Sequence, residues 1–551
     1  MKNLLLILMF ISLDSFAEDF NVILIGDTQQ RELFGQPSGF SSKFAQELSS
    51  VAVRSSEQEL FAKYLQSEIY NLEPETNAIF HLGDLLDYSC ESEWKAATDV
   101  LSKEQLEKTF LLSGNHDGIF QGNGNYGFLT KTFIKAAKFF DPSYSNPNLL
   151  QHFSAVCKPG MLERKEDEHP EFRKKDFFCS YLNTFRPDYA ANYPKLKNAC
   201  DLVEKARAGS LTNNLKNLTA NKKSILGTSS NSYNWNFSSF FPSNDNADWT
   251  EGFFLQKVVF NVSDNVKIHF LLLDTTNWKN APSYIALKCN KSDSSDTKSS
   301  KCGMVSKKQR DLVDSYFDDP NNKIGVHDFI FLAGHYPIKD LNNETLNWLN
   351  GIIESHKAVY LSAHTHYGTM NYNDDKSLKE INIDSLMDAP TSYLKISYDK
   401  DSNKVCFEPT DLWEKLDCDS KLKVKDELNK IKVKVKSYQH SIKDWKGDAG
   451  ETQWRNRAHD AYRTIKDFIK LNKPNSVNCE DKKESFFSEG NRKYIAQVVI
   501  SCEKQVDLFI SQNEDLQKYA SCESILGSRV FFDQKKKNDE RNYQHIACIN
   551  R

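Results

Sequence analysis

The stretch "KTFLLSGNHD", Lys108 to Asp117, decides how the rest of the chain is read. A short apolar run from Thr109 to Leu112 has the length and residue types of a buried strand rather than a helix. It ends at Ser113 and Gly114. Then come an amide, an imidazole and a carboxylate: Asn115, His116 and Asp117. The same design recurs on both sides. "NVILIGD" ends at Asp27, "NAIFHLGD" at Asp84, "HDFIFLAGH" at His335, and "AVYLSAHTH" carries His364 and His366. A lone Asp after Gly is usually a turn or a helix cap, and a lone His is usually a satisfied polar residue. Five apolar runs that each end in ligand-type residues are hard to explain as packing. Parallel strands bring their C-terminal ends to one edge, so these groups are expected to converge.

Between the runs lie amphipathic helical stretches: around Lys43 to Leu72, near Trp94, from Lys307, and over "ETLNWLNGIIESH". The alternation is the βαβ rhythm of a layered α/β domain. From Gly118 to about Thr250 the chain is rich in Asn, Ser, Phe and Tyr without clean periodicity. A loop of that length is expected to form a cap or subdomain near the site. Beyond Asp411, lysine-rich amphipathic segments and the six cysteines from Cys406 to Cys548 predict a separate, mostly helical, disulfide-bearing domain over 411–551. The preceding domain then spans 18–410, with its insertion at about 118–250.

Lys2, the apolar run Leu4–Leu13 and the small residues Ser15 and Ala17 predict a signal peptide over residues 1–17, too short for a membrane span. The mature protein is therefore expected to be secreted or periplasmic, without a membrane span. All twelve cysteines follow that segment, and no Cys-x-x-Cys pair occurs. In an exported chain this favours disulfides over zinc, with Cys289–Cys302 as the local pair. A net charge of −4 over 551 residues, with both signs interspersed, gives no nucleic-acid-binding signal.

The order and wording of the five motifs, "GDTQ", "GDLLD", "GNHD", "GH" and "HTH", resemble the calcineurin-like metallophosphoesterases, the binuclear-metal superfamily that includes purple acid phosphatases. The resemblance covers roughly residues 20–400. It implies a two-sheet β-sandwich flanked by helices, two divalent or transition-metal ions, and hydrolysis of phosphate esters by a metal-activated hydroxide. It assigns Asp27 and His366 to the first metal, Asp84 as the bridge, and Asn115, His335 and His364 to the second. His116 would contact the phosphate or protonate the leaving oxygen, with Asp117 orienting it. Histidine suits that task because its pKa lies near neutrality.

Charge arithmetic agrees. Two divalent ions against the carboxylates of Asp27 and Asp84 leave about two surplus positive charges, which would acidify a bound water and attract a phosphate ester. The mixed Asp, Asn and His set suits manganese, iron or zinc. The chain departs from the family at Gln29, where histidine commonly adds a ligand to the first metal, and less importantly at Ala363, where glycine is common. Gln29 offers only a neutral amide oxygen. Asp87 is read as shaping a turn, and His81 and His327 as structural. Asp274 either supports the site from behind or caps a turn, and His152 and His169 of the insertion are candidates to reach the substrate.

The expected function is an exported phosphomonoesterase acting on a phosphorylated small molecule or macromolecule. The alternatives are a phosphodiesterase or nucleotidase on the same centre, or a non-catalytic phosphoryl-ligand binder. The C-terminal domain is a candidate to dock a protein partner.

Overall fold

The computed structural model describes residues 20–29, 66–86, 91–117, 170–187, 218–225, 232–240, 253–276, 302–320, 322, 324–366, 368–386, 392–416, 420 and 546–551. Two β-sheets form among them. In the first, β1 (Phe20–Ile25) lies between β2 (Ala78–His81), parallel to it, and β12 (Ser392–Asp399), antiparallel. Beyond β2 lies β3 (Thr109–Leu111), again parallel. Beyond β12 lie β13 (Lys404–Asp411) and β14 (Ala547–Asn550).

The second sheet runs in the order β10 (Thr369–Tyr372), β11 (Leu378–Asn382), β9 (Val359–Ser362), β8 (Phe329–Ala333), β7 (Val266–Leu272), β6 (Phe253–Ser263), β5 (Ser232–Phe240) and β4 (Leu218–Ile225). Strands β7, β8, β9 and β11 are mutually parallel. Every ligand-bearing motif therefore follows a strand that runs parallel to at least one neighbour. The buried strands β1, β2 and β8 are near-continuous apolar runs because both faces are covered.

Aromatic side chains join the two sheets. Phe80 of β2 stacks on Phe270 of β7 at 4.4 Å between ring centroids, Phe20 meets Phe260 at 5.0 Å, and Phe331 meets Phe407 at 5.7 Å. Pairs of this kind contribute about 0.5–1.5 kcal/mol each beyond area burial. The outer face of the second sheet, with Leu271, Ile330, Leu332 and Tyr360, is covered by two helices. Lys307–Asp318 supplies Val313 and Tyr316, and Asn343–His356 supplies Leu349, Ile352 and Ile353. Both helices start on a side-chain cap, Ser306 to the Gln309 N–H and Asn342 to the Thr345 N–H. The α/β sandwich expected from the sequence is the fold observed.

Two boundaries differ from that expectation. The helix Pro170–Phe185 and strands β4 and β5 lie within the stretch expected to form a cap, yet the helix and β5 are part of the core and β4 extends the second sheet. The helix packs Phe177, Phe178, Tyr181, Leu182 and Phe185 against Trp94 and the sandwich. Strand β5 pairs with β6 and buries Tyr233, Trp235 and Phe237 at every second position. Asn and Ser, which count as loop formers in a sequence, fill the alternate positions of β5 and hid its period of two. The remainder of 118–250, with His152 and His169, lies outside the described residues.

The second concerns the expected boundary at residue 411, beyond which the end of the chain returns to the first sheet. β14 returns to pair with β13, Cys406 is bonded to Cys548, and the Arg551 guanidinium donates to the carbonyls of His356 and Lys357 at 2.9 Å each. The intervening stretch, 421–545, lies outside the described residues, as do residues 1–17. Cys302 is disulfide-bonded, but its expected partner Cys289 is not among the described residues.

The Cys406–Cys548 bond spans a sequence separation of 142. In the chain-entropy account, closing a loop of that length stabilises by up to about 5 kcal/mol. Replacing both cysteines with serine is expected to lower the urea midpoint of the first sheet without removing the site, whose ligands lie elsewhere. An unchanged midpoint would show that β14 is held by its ladder alone.

Candidate metal centre

The loops after the parallel strands carry an unusual backbone. Asp27, Gln29, Asp84, His364 and His366 all have left-handed φ values, between 40° and 71°. That region costs an L-residue roughly 1–2 kcal/mol, so it persists only where surrounding bonds impose it. Here they do. The Asp27 N–H donates to the Gly83 carbonyl at 3.0 Å, the Gln29 N–H to the Asp84 carbonyl at 2.8 Å, and the His364 N–H to Asp27 Oδ2 at 2.9 Å. Gly114 is required by close approach, because a Cβ there would lie 2.1 Å from Asp84 Oδ1.

These loops bring together the residues singled out from the sequence. One ligand atom from each of Asp84, His335 and His364 lies within 4.8 Å of the others. His335 Nε2 is 2.9 Å from Asn115 Oδ1, 3.2 Å from His364 Nδ1 and 3.3 Å from Asp84 Oδ2. Its Nδ1 sits 2.9 Å from the Leu82 carbonyl, which can only accept. In the neutral ring Nδ1 therefore carries the hydrogen, and Nε2 turns its lone pair toward the cluster. A histidine that ligates a metal is held in this way.

A second group adjoins the first. His366 Nε2 lies 3.3 Å from Asp27 Oδ1, and Gln29 Nε2 lies 3.0 Å from Asp84 Oδ2 and 3.3 Å from His366 Nε2. Asp27 Oδ1 has no hydrogen-bond donor despite that separation, and neither has Gln29 Oε1, although both are buried. Orphaned buried acceptors are costly unless a cation meets them. Carboxylate, amide and imidazole atoms converging with their lone pairs inward fit a divalent transition metal. Gln29 presents its NH2 to the cluster and leaves its oxygen without a donor, so its placement is that of a hydrogen-bond donor to Asp84.

The electrostatics follow from burial around two carboxylates. Burial, the largest single influence, would raise both Asp27 and Asp84, but the neighbouring histidines together outweigh it, His366 foremost at Asp27 and His335 at Asp84, and both carboxyls lie below their usual range. Burial would lower His335, yet Asp84 and then Asp27 push it up to about 9. His364 is pushed down to about 3, first by burial and then by His335, which leaves a neutral ring with one nitrogen lone pair to offer.

His116 sits at the rim, half-buried, with its backbone N–H donating to Asp84 Oδ1 at 2.6 Å. Asp117 does something the sequence did not reveal. Its Oδ2 accepts the N–H groups of Asp84 and Gly114 at 2.8 Å each, and its Oδ1 accepts that of Leu86 at 2.9 Å. One carboxylate thus ties the loop after β2 to the loop after β3.

Asp274 serves in both of the ways left open. Its Oδ1 accepts from the Thr276 N–H at 3.1 Å as a turn cap and from the Ser113 hydroxyl at 3.4 Å, beside the Gly114–Asn115 loop. His81 is buried, with Nε2 2.7 Å from the Thr28 hydroxyl, and His327 is exposed. Asp87 lies outside the described residues. Sequence reasoning passed over Asp384, whose Oδ1 accepts the Gly368 N–H at 2.6 Å just beyond the His364–His366 pair. Its signal was available, since it follows β11 as Asp274 follows β7.

Asp117→Asn keeps the shape but turns an NH2 group toward backbone donors. It is expected to destabilise the protein by about 1–3 kcal/mol, the usual cost of leaving buried donors unpaired. Thermal and urea denaturation check this, and an unchanged stability would mean that the three bonds contribute nothing.

Residues 20–203 match the calcineurin-like phosphoesterase family. No curated protein matches significantly. Among solved structures, a dimetal phosphatase from Danio rerio is similar at 12% identity with a TM-score of 0.32, covering 71% of this chain and 96% of that chain. At that score the superposition carries no weight. Among the described residues no helix is long and apolar enough to cross a membrane. The family match takes in the strand ends that carry Asp27, Asp84 and Asn115–His116, and the fold sets His335, His364 and His366 against them. On those grounds residues 20–203 carry a calcineurin-like phosphoesterase domain, and its ligand-bearing strand ends are those of a metal-dependent phosphoric ester hydrolase.

Proposed function

We propose that this is an exported phosphomonoesterase working through two divalent transition-metal ions, manganese, iron or zinc. The observation that carries the metal-dependent reading is the convergence of Asp84, His335 and His364 within 4.8 Å. Asp27 and His366 would hold one ion, with Gln29 beside it. Asn115, His335 and His364 would hold the other, and Asp84 would face both. Bound there, the ions would supply Lewis acidity, lowering the pKa of water and neutralising phosphoryl charge.

The chain's own residues do the rest. His116 is fixed through its backbone to Asp84, and its half-buried ring is the group that would give a leaving oxygen its proton. Asp117 keeps the two loops that carry Asp84 and His116 in register. The leader-like segment at residues 1–17 supports a secreted or periplasmic location, and a phosphate-scavenging role outside the cytoplasm favours monoesters. The C-terminal region, 411–551, is proposed to dock a protein partner. Metal analysis of the purified protein, paired with p-nitrophenyl phosphate and bis-p-nitrophenyl phosphate, tests the whole reading. A fully metallated protein inert toward both would sink it, and preference for the diester would replace the monoesterase proposal.

His116→Ala is expected to retain its metals and lose roughly 10²–10⁴-fold in kcat, the usual contribution of a general acid. Asp84→Asn is expected to lose metal and activity together. Loss of metal from the His116 variant, or near-normal turnover in the Asp84 variant, contradicts the assigned roles.

Gln29 makes the ion beside Asp27 and His366 the weaker one, since a neutral amide stands where an imidazole would bind more tightly. Dialysis against a mild chelator is expected to release one ion before the other. Gln29→His is expected to slow that release. Equal retention of both ions in both proteins, measured by metal stoichiometry, would show that position 29 does not face a metal.

A further inference from the structure

We propose that Thr275 is a positioning residue for the metal-binding edge: its hydroxyl oxygen, itself no ligand, fixes the backbone from which His335 projects. The inference rests on the reading of His335 as a metal ligand.

The β7–β8 ladder runs out just before the site. Its last bond is the Leu273 N–H to the Ala333 carbonyl at 2.6 Å. Past that point Gly334 turns to β9, donating to the Leu361 carbonyl at 2.9 Å. The next two N–H groups, those of His335 and Tyr336, are met by a side chain. Both donate to Thr275 Oγ1, at 3.0 Å and 3.2 Å. A threonine hydroxyl has two acceptor lone pairs, and here both are matched by donors. The hydroxyl extends the sheet by two residues where backbone pairing has stopped.

Its orientation is imposed. Thr275 is fully buried, and its Cγ2 lies against Gly334, where an added Cβ would stand 2.5 Å from it. With the methyl facing the glycine, the oxygen is left to face the two donors. The base beneath is fixed as well. Gln309 clamps the Asp274 backbone from both sides, accepting its N–H at 2.8 Å and donating to its carbonyl at 2.9 Å. Thr275's own carbonyl receives the Met304 N–H at 3.0 Å. Asp274 Oδ1 meets the hydroxyls of Thr276 and Ser113, so the same three residues touch the loop that carries Asn115. Residues 274–276 therefore set the loop of His335 against the loop of Asn115, whose ligand atoms stand 2.9 Å apart.

The test is metal affinity of the full-length chain, read by competition of zinc or manganese with a chromophoric chelator. Outer partners of a ligand typically change affinity by 10–100-fold. Thr275→Val keeps the shape and removes the acceptor, Thr275→Ser keeps the acceptor and removes the methyl, and Thr275→Ala removes both. His335→Ala is the control for the ligand itself. If the proposal holds, affinity follows the hydroxyl: threonine and serine bind alike, while valine and alanine bind roughly tenfold or more weakly. Affinity that follows the methyl, with threonine and valine alike and serine weakened, overturns it. Should the valine variant not fold, serine against alanine decides, and equal affinity in those two overturns it. His335→Ala with undiminished affinity would remove the ligand reading and the brace with it. A weakened His335→Ala beside four equal residues at position 275 removes the brace alone.

Discussion

The carboxylate of Asp84, buried to within 1% of its surface, is the constraint around which the rest is arranged. Removing a charge from water is so costly that it persists only where partners surround it. Asp84 has them on every side: the His116 N–H at Oδ1, Gln29 and His335 at Oδ2, and its own N–H held by Asp117. These partners come from three other strand ends, those of β1, β3 and β8. The requirement to satisfy one carboxylate therefore fixes the relative placement of the loops after β1, β2, β3 and β8. The sandwich core beneath, with Phe80 and Phe270 in contact between the sheets, keeps those strand ends at one height.

A second layer of acceptors holds the loops themselves. Asp117, Asp27, Thr275 and Asp384 each accept backbone N–H groups that have no partner in either sheet. Two of the five left-handed residues at the site, Asp84 and His364, have their N–H groups held in this way, and backbone carbonyls hold those of Asp27 and Gln29. Roughly 1–2 kcal/mol for each amounts to a substantial fraction of a typical folding free energy of 5–15 kcal/mol. Side-chain acceptors that bond only in the bent geometry offset that strain. They also prevent the loops from relaxing into ordinary turns, which would spread the ligands.

The first layer was legible in the sequence and the second was not, for a physical reason. Strands buried on both faces read as unbroken apolar runs, and a ligand must stand at their ends, so "NVILIGD", "NAIFHLGD" and "FLLSGNHD" announced both fold and site. An acceptor of backbone N–H groups needs no particular spacing. Asp117 looked like a partner for its neighbour His116, and Thr275 looked like nothing. Strand β5 escaped because asparagine and serine occupy its less buried positions, and β14 because 135 residues separate its first residue from the last of the strand it pairs with, Ala547 from Asp411 or more. Pairing at that distance leaves no local pattern.

Position 29 shows why a departure from a family's residue need not abolish its chemistry. Gln29 is 1% exposed, and its backbone is locked left-handed by the Asp84 carbonyl, so its side chain has one direction to go. At the end of that side chain an amide carries a donor and an acceptor in nearly the same envelope. With NH2 inward it binds Asp84 Oδ2, as seen here. Turned by half a rotation it would place Oε1 at the same point, as a neutral ligand beside Asp27 and His366. Imidazole makes that switch only by moving its proton between the two ring nitrogens or by gaining a second one. Glutamine at 29 thus stabilises the carboxylates when it faces them as a donor and accommodates a cation when it does not. Histidine would serve the second condition better and the first only by changing tautomer or gaining a charge.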